Sequence, residues 1–205
     1  LDDDTFHALA STLLELCPLQ LEPDVCRYLN SRRLGKIALA AGWGALPGNG
    51  GALDALRARL IAQFGEDVWI RSGLAVREGK RRGMWVWWTH RLLIPWRGPG
   101  LEGAVQTLQR RVLGTAPDGV GKYVFATGRP ARWPYGVDDL AVDNDPEVPL
   151  VFVEGAVDTI ALRALCGESG RRAQVIGVPG VAAWKGINAN AWSELARDRI
   201  VAIGL

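Results

Sequence analysis

Apolar and polar positions along the chain change rhythm twice. In the first part they recur at helical spacing. "TFHALASTLLELC", Thr5 to Cys17, follows three aspartates that suit a helix N-terminus, and "EPDVCRYLNSRRLG" starts at a proline and predicts a second helix stopping at Gly35. After the loop "GWGALPGNGG", the stretch "ALDALRARLIAQF" predicts a third amphipathic helix ending at Gly65. Next come β-branched and aromatic runs, "MWVWW", "RLLIPW" and "GAVQTLQRRVL", with turns at "RGPGLEG" and "GTAPDGVG"; these predict strands. A polar link, "GVDDLAVDNDPEVP", leads into alternation of strand and helix: "LVFVEG", "DTIALRALCG", "AQVIGVPG", a helical segment over 189–198, and "RIVAIGL". That alternation implies a parallel sheet with helices on its faces. The predicted class is α+β with an α/β part. A helical and β-rich subdomain spans 1–145, and a parallel-sheet subdomain spans 146–205.

Charge changes this picture more than composition does. Net charge is only +2, yet residues 71–132 hold 12 Lys/Arg against 3 acids, while the flanking segments are mildly acidic. A basic block of this kind suits a polyanionic partner, because clustered Lys/Arg neutralise phosphates and release counterions. Apolar residues make up 48% of the chain, enough for a sizeable core in one or two domains. No apolar run reaches the roughly 18 residues of a membrane helix, and no signal-peptide pattern opens the chain. Cys17, Cys26 and Cys166 show neither disulfide nor zinc-site spacing, which points to a reducing cytoplasm and no zinc in this segment. The sequence opens on Leu1 and is expected to be a piece of a longer chain.

The candidate chemistry sits where the strand "LVFV" ends in Glu154, Gly155 and, one turn on, Asp158. Two acids converging at a strand end need cations or hydrogen-bond donors to hold them. Ligands of parallel sheets bind at the carboxyl ends of strands. Trp85, Trp87, Trp88 and Trp96 are candidates for stacking on single-stranded bases, or for packing, and "KRRG" at Lys80 to Gly83 for contact with a nucleic-acid backbone. "GVGKY" lacks the earlier glycine and the Ser/Thr of a P-loop, so ATPase chemistry is not indicated.

"VFVEGAVDTIAL", "VIGVPGV" and "RIVAIGL" resemble the TOPRIM domain of bacterial-type primases, topoisomerases and some nucleases. Upstream, "RLLIPW", "LQRRVLG" and "GKYVFATG" resemble, in order and spacing, the basic catalytic subdomain of DnaG-type replicative primases. "VCRYLNSRRLG" and "SGLAV" resemble that family's entry motifs. The resemblance runs from about Val25 to Leu205. It departs from the family where Gly-Gly-Arg reads Gln109-Arg110-Arg111, and where Phe125 replaces an asparagine.

The resemblance implies a phage- or plasmid-encoded primase core that makes short RNA primers on single-stranded DNA from ribonucleoside triphosphates, with a replicative helicase as partner and no membrane. It assigns Glu154 and Asp158 as catalytic acids and ligands of Mg²⁺ (or Mn²⁺), with Gly155 at the turn. Arg91, Arg110, Arg111, Lys122 and Tyr123 become nucleotide or nucleic-acid contacts. The family's Asp-x-Asp belongs directly after "IVAIGL", so the TOPRIM part is expected to be truncated and this segment to be a poor catalyst by itself. Two alternatives stay open: another TOPRIM enzyme (topoisomerase or nuclease), and a non-catalytic nucleic-acid-binding module.

Overall fold

A computed structural model describes residues 1–100, 103–116, 118–140, 145–180 and 195–204. The chain forms two compact units, 1–95 with 105–130, and 96–104 with 131–205.

In the first unit, α1 (Asp3–Leu16) begins where the Asp2 carboxylate accepts from the Thr5 backbone N–H, as an N-cap should. The expected second helix ends short of Gly35, and a helix that the sequence pattern did not predict begins there. α2 (Pro23–Ser31) stops before Arg33, whose φ of 59° breaks the helical path, and α3 (Gly35–Ala40) begins beyond it. α4 (Gly50–Phe64), capped by Asn49, ends at Gly65, and α5 (Glu66–Arg71) follows. The sheet of this part has the order β1 (Gly44–Ala45), β2 (Leu92–Arg97), β3 (Val105–Arg111), β4 (Tyr123–Phe125), with β1–β2 and β3–β4 antiparallel.

β3 is buried on both faces along its whole length. α1 packs on it, and the His7 ring nitrogen Nδ1 accepts from the Val105 backbone N–H at 2.9 Å. The core between them gathers Phe6, Leu9, Leu13, Leu60, Trp69, Leu93 and Leu108.

"MWVWW" is not the strand its composition predicts. Apart from a bridge between Ala75 and Trp85, the segment forms a turn. Trp85 is buried edge-on against Trp69, and its indole N–H donates to the Leu53 carbonyl at 3.0 Å. Trp87 then takes a φ of 50°, and the His90 N–H closes the turn on its carbonyl. Tertiary anchoring of Trp85 outweighs the β preference of the run.

In the second unit, α6 (Val137–Leu140) precedes a parallel three-stranded sheet of order β6-β5-β7. β5 (Leu150–Glu154) is central, with β6 (Gln174–Val178) and β7 (Val201–Gly204) on either side. The helix α7 (Gly155–Ser169) links β5 to β6 and starts three residues earlier than "DTIAL" predicts. Val137, Leu140, Leu150, Phe152, Ile176 and Val178 form the core. The helical segment expected over 189–198 lies largely outside the described residues. The architecture is therefore mixed α/β, with an antiparallel sheet and a separate parallel one.

Candidate active site and nucleic-acid interface

Glu154 is the last residue of β5 and the N-cap of α7, paired in register with Val178 of β6. Its side chain is exposed. The chain turns from strand to helix at once because Gly155 takes a φ of 74°, in the left-handed region where a side chain is strained. Close packing holds the corner. A Cβ on Gly177 of β6 would lie 2.4 Å from the Thr159 hydroxyl oxygen and 2.5 Å from the Gly155 carbonyl oxygen. Thr159 is itself buried and donates to that carbonyl at 2.8 Å. Asp158 stands exposed in the first turn of α7, where a negative charge suits the helix N-terminus.

Glu154 and Asp158 thus share one strand end, with no ion pair to either carboxylate among the described residues. Such unpaired, solvent-facing oxygens are hard donors of the kind Mg²⁺ or Mn²⁺ takes. Among the described residues no group of three or more His, Cys, Asp and Glu is gathered for a metal. The donor set fits an ion that draws its remaining ligands from water and substrate phosphates.

The basic residues named by the sequence take four different positions. Arg91 is held inside the first unit: its guanidinium pairs with Glu22 and Asp24, and its Nε donates to the Leu46 carbonyl at 3.0 Å. Arg111 is 2% exposed and clamped between aromatic rings, 4.7 Å from the Tyr28 centroid and 5.2 Å from that of Tyr123. Its Nε donates to the Tyr123 hydroxyl at 2.8 Å. Lys122 is exposed beside the half-exposed Tyr123. Arg110, which the resemblance places among the nucleotide or nucleic-acid contacts, is 0% exposed. Both faces of β3 are covered, so Arg110 presents no surface to a nucleic acid.

No family model matches the chain, and no curated protein matches it. Solved structures do. The zinc-binding and RNA polymerase domains of the Aquifex aeolicus primase match at a TM-score of 0.70 and 16% identity, over 99% of this chain and 48% of that one. A DnaG primase catalytic domain bound to single-stranded DNA matches at 0.71 and 21% identity, over 98% and 62%. The RNA polymerase domain of Mycobacterium tuberculosis DnaG, in complex with a double-stranded DNA oligomer with a 6-nucleotide overhang, matches at 0.71 and 21% identity, over 98% and 64%. The fold is that of a DnaG-type primase catalytic core. The chain spans between 48% and 64% of the length of these three chains.

Within this primase fold, side chains that sequence reasoning passed over complete the picture. Tyr28 is the second ring against Arg111, and the Arg32 guanidinium also lies over the Tyr28 ring, 4.9 Å from its centroid. The signal was present in "YLNSRR", but nothing local joins it to Arg111. Of the four candidate stacking tryptophans, Trp85 and Trp96 are buried, whereas Trp87 and Trp88 are 40% and 53% exposed. Lys80, Arg81 and Arg82 are exposed just ahead of them, with no salt bridge among the described residues.

The Arg91 clamp makes a stability prediction for the primase fold. Arg91→Met leaves Glu22 and Asp24 without their cation and is expected to cost about 2–4 kcal/mol, below the range for fully buried pairs because Asp24 is partly exposed. Burial pushes the Asp24 carboxyl up, but the hydrogen bond and charge of Arg91 outweigh it and hold the group below its ordinary value. A depressed carboxyl stabilises the fold above its unfolded pKa, and that share is lost as pH falls through the folded value. Urea melts at pH 7 and across the acid range check both points. The variant should show the lower midpoint at neutral pH and a smaller further loss in acid.

Proposed function

We propose that the chain is the catalytic core, or most of it, of a primase, a nucleotidyltransferase joining ribonucleoside triphosphates into short primers on single-stranded DNA. The observation that carries this reading is the position of Glu154. In a primase-core fold, an exposed carboxylate without an ion pair among the described residues ends the central parallel strand, with Asp158 one turn beyond. In this reading residues 146–205 are a TOPRIM subdomain and 1–145 the basic subdomain that receives template and nucleotide.

Glu154 and Asp158 would hold Mg²⁺ or Mn²⁺, which neutralises charge on the triphosphate during in-line displacement of pyrophosphate. The remaining work falls to the chain's own side chains. Lys122, exposed just ahead of β4, supplies a point charge for phosphate. Arg111 is 2% exposed, so in this reading it acts by holding the Tyr123 ring, to whose hydroxyl its Nε donates, beside Lys122 rather than by meeting a phosphate itself. The DNA in two of the matched structures supports a DNA partner. A replicative helicase and a cytoplasmic setting complete the proposal.

The test is a primer-synthesis assay of the gene product carrying this sequence, with single-stranded DNA, ribonucleoside triphosphates and Mg²⁺ or Mn²⁺. RNA oligomers complementary to the template support the reading. DNA binding with no product favours a binding module instead.

The basic tip gives a separate expectation. If Lys80, Arg81 and Arg82 each neutralise a phosphate, replacing all three by alanine should flatten the slope of log K against log salt by about 2 units, at roughly 0.7 per single-strand contact. Fluorescence anisotropy of a labelled oligonucleotide across a salt series measures it. An unchanged slope would remove the tip from the interface.

A further inference from the structure

Arg110 is a cation for which the proposed chemistry has no use. It lies within β3, opposite Val124 of β4, and no part of it reaches the surface. Its Nη1 donates to the Val86 carbonyl at 2.6 Å. Its Nε and Nη2 are buried with no hydrogen-bond partner among the described residues. Those two nitrogens share one edge of the guanidinium, and their N–H bonds run parallel. That edge takes a bidentate anion.

Among the described residues no carboxylate forms an ion pair with Arg110. Burial alone lowers the guanidinium to about 10, so it stays protonated at neutral pH. The neighbouring titratable group is His90. Its Nε2 faces the Gly121 carbonyl at 2.8 Å and must donate to it, while Nδ1 faces the Thr89 hydroxyl at 3.2 Å. Burial holds His90 below its ordinary value; the Gly121 hydrogen bond opposes this, and the charge of Arg110 adds to it. His90 is therefore neutral at pH 7 and supplies no counter-charge. A buried cation with two open donors is strongly destabilising unless something fills the fork.

We propose that the Nε–Nη2 edge of Arg110 is a buried site for a small inorganic anion of chloride's size, enclosed as this unit folds. Full burial excludes the phosphate of a polymer, because its neighbouring nucleotides would need a channel to the surface. A water molecule would satisfy the N–H groups but leave the charge uncompensated. The site is independent of the primase reading and makes fold stability depend on the identity of the anion.

The test is thermal unfolding at constant ionic strength, with sodium chloride or bromide replacing sodium gluconate. Above the dissociation constant, Tm should rise by roughly 3–5 °C for each tenfold increase in chloride. Arg110→Met, which keeps bulk and removes the charge, should show no difference between the anions. A crystal grown from protein refolded in bromide should show an anomalous peak within hydrogen-bonding reach of both Nε and Nη2, and this arm decides if the variant does not fold. Equal Tm in gluconate and chloride for the wild type, a chloride response that survives in Arg110→Met, or no anomalous peak at the fork would each overturn the proposal.

Discussion

Glu154→Gln is expected to reduce primer synthesis by about 10³-fold or more while leaving DNA affinity within about twofold of wild type. The substitution keeps the shape of the side chain and removes its charge. Glu154 is exposed at the end of β5, so the fold loses no buried contact and Tm should not move. In the proposed reading, what changes is the capacity of the strand end to attract a divalent ion beside a triphosphate. Saturating Mg²⁺ should not restore activity, because the lost carboxylate charge also positions the ion. Primer yields close to wild type from the Glu154→Gln protein would show that the reacting phosphates lie elsewhere. A large fall in DNA affinity would instead place Glu154 in binding.

The second large effect is expected at the aromatic turn. Trp87 and Trp88 expose broad faces at the tip of a turn whose backbone is fixed by the φ of Trp87 and by the His90 N–H bonded to its carbonyl. A fixed, exposed aromatic pair next to basic side chains is what single-stranded DNA uses for stacking. At roughly 1–3 kcal/mol per stacked base, each alanine substitution should weaken single-strand binding about 5- to 150-fold. The double variant should weaken it by about 30-fold or more. Stacking releases no counterions, so the salt slope should stay constant while the intercept drops. That pattern separates the tryptophans from Lys80, Arg81 and Arg82, for which the slope itself moves. Unaltered affinity in the double variant would mean that the exposed rings serve some purpose other than DNA binding.

Much of this architecture is readable from local pattern. α1 and α4 carry helical spacing together with side-chain caps, Asp2 and Asn49, immediately ahead of them. β5, α7, β6 and β7 follow from short apolar runs that alternate with helix, and the parallel register agrees with that alternation. The placement of Glu154 and Asp158 at one strand end was legible for the same reason.

What escaped local reading depends on partners far away in sequence. Arg91 meets Asp24 and Glu22 across separations of 67 and 69 residues. Arg111 finds Tyr28 on a different element. Arg110 occupies a strand whose sequence, "VQTLQRR", looks half-solvated, yet coverage of both faces buries all of it. "MWVWW" has strand composition, and only the anchoring of Trp85 against Trp69 and Leu53 turns it into a loop. Periodicity reports which face of an element is apolar. It does not report how many faces the rest of the molecule will cover.

The most direct test of the central claim is to sequence the RNA made on single-stranded templates of defined sequence, with ribonucleoside triphosphates and a divalent ion. The predicted result is short oligoribonucleotides complementary to each template, which disappear when the divalent ion is chelated or Glu154 is replaced by glutamine. DNA binding with no ribonucleotide incorporated, on any template and with either Mg²⁺ or Mn²⁺, would contradict it.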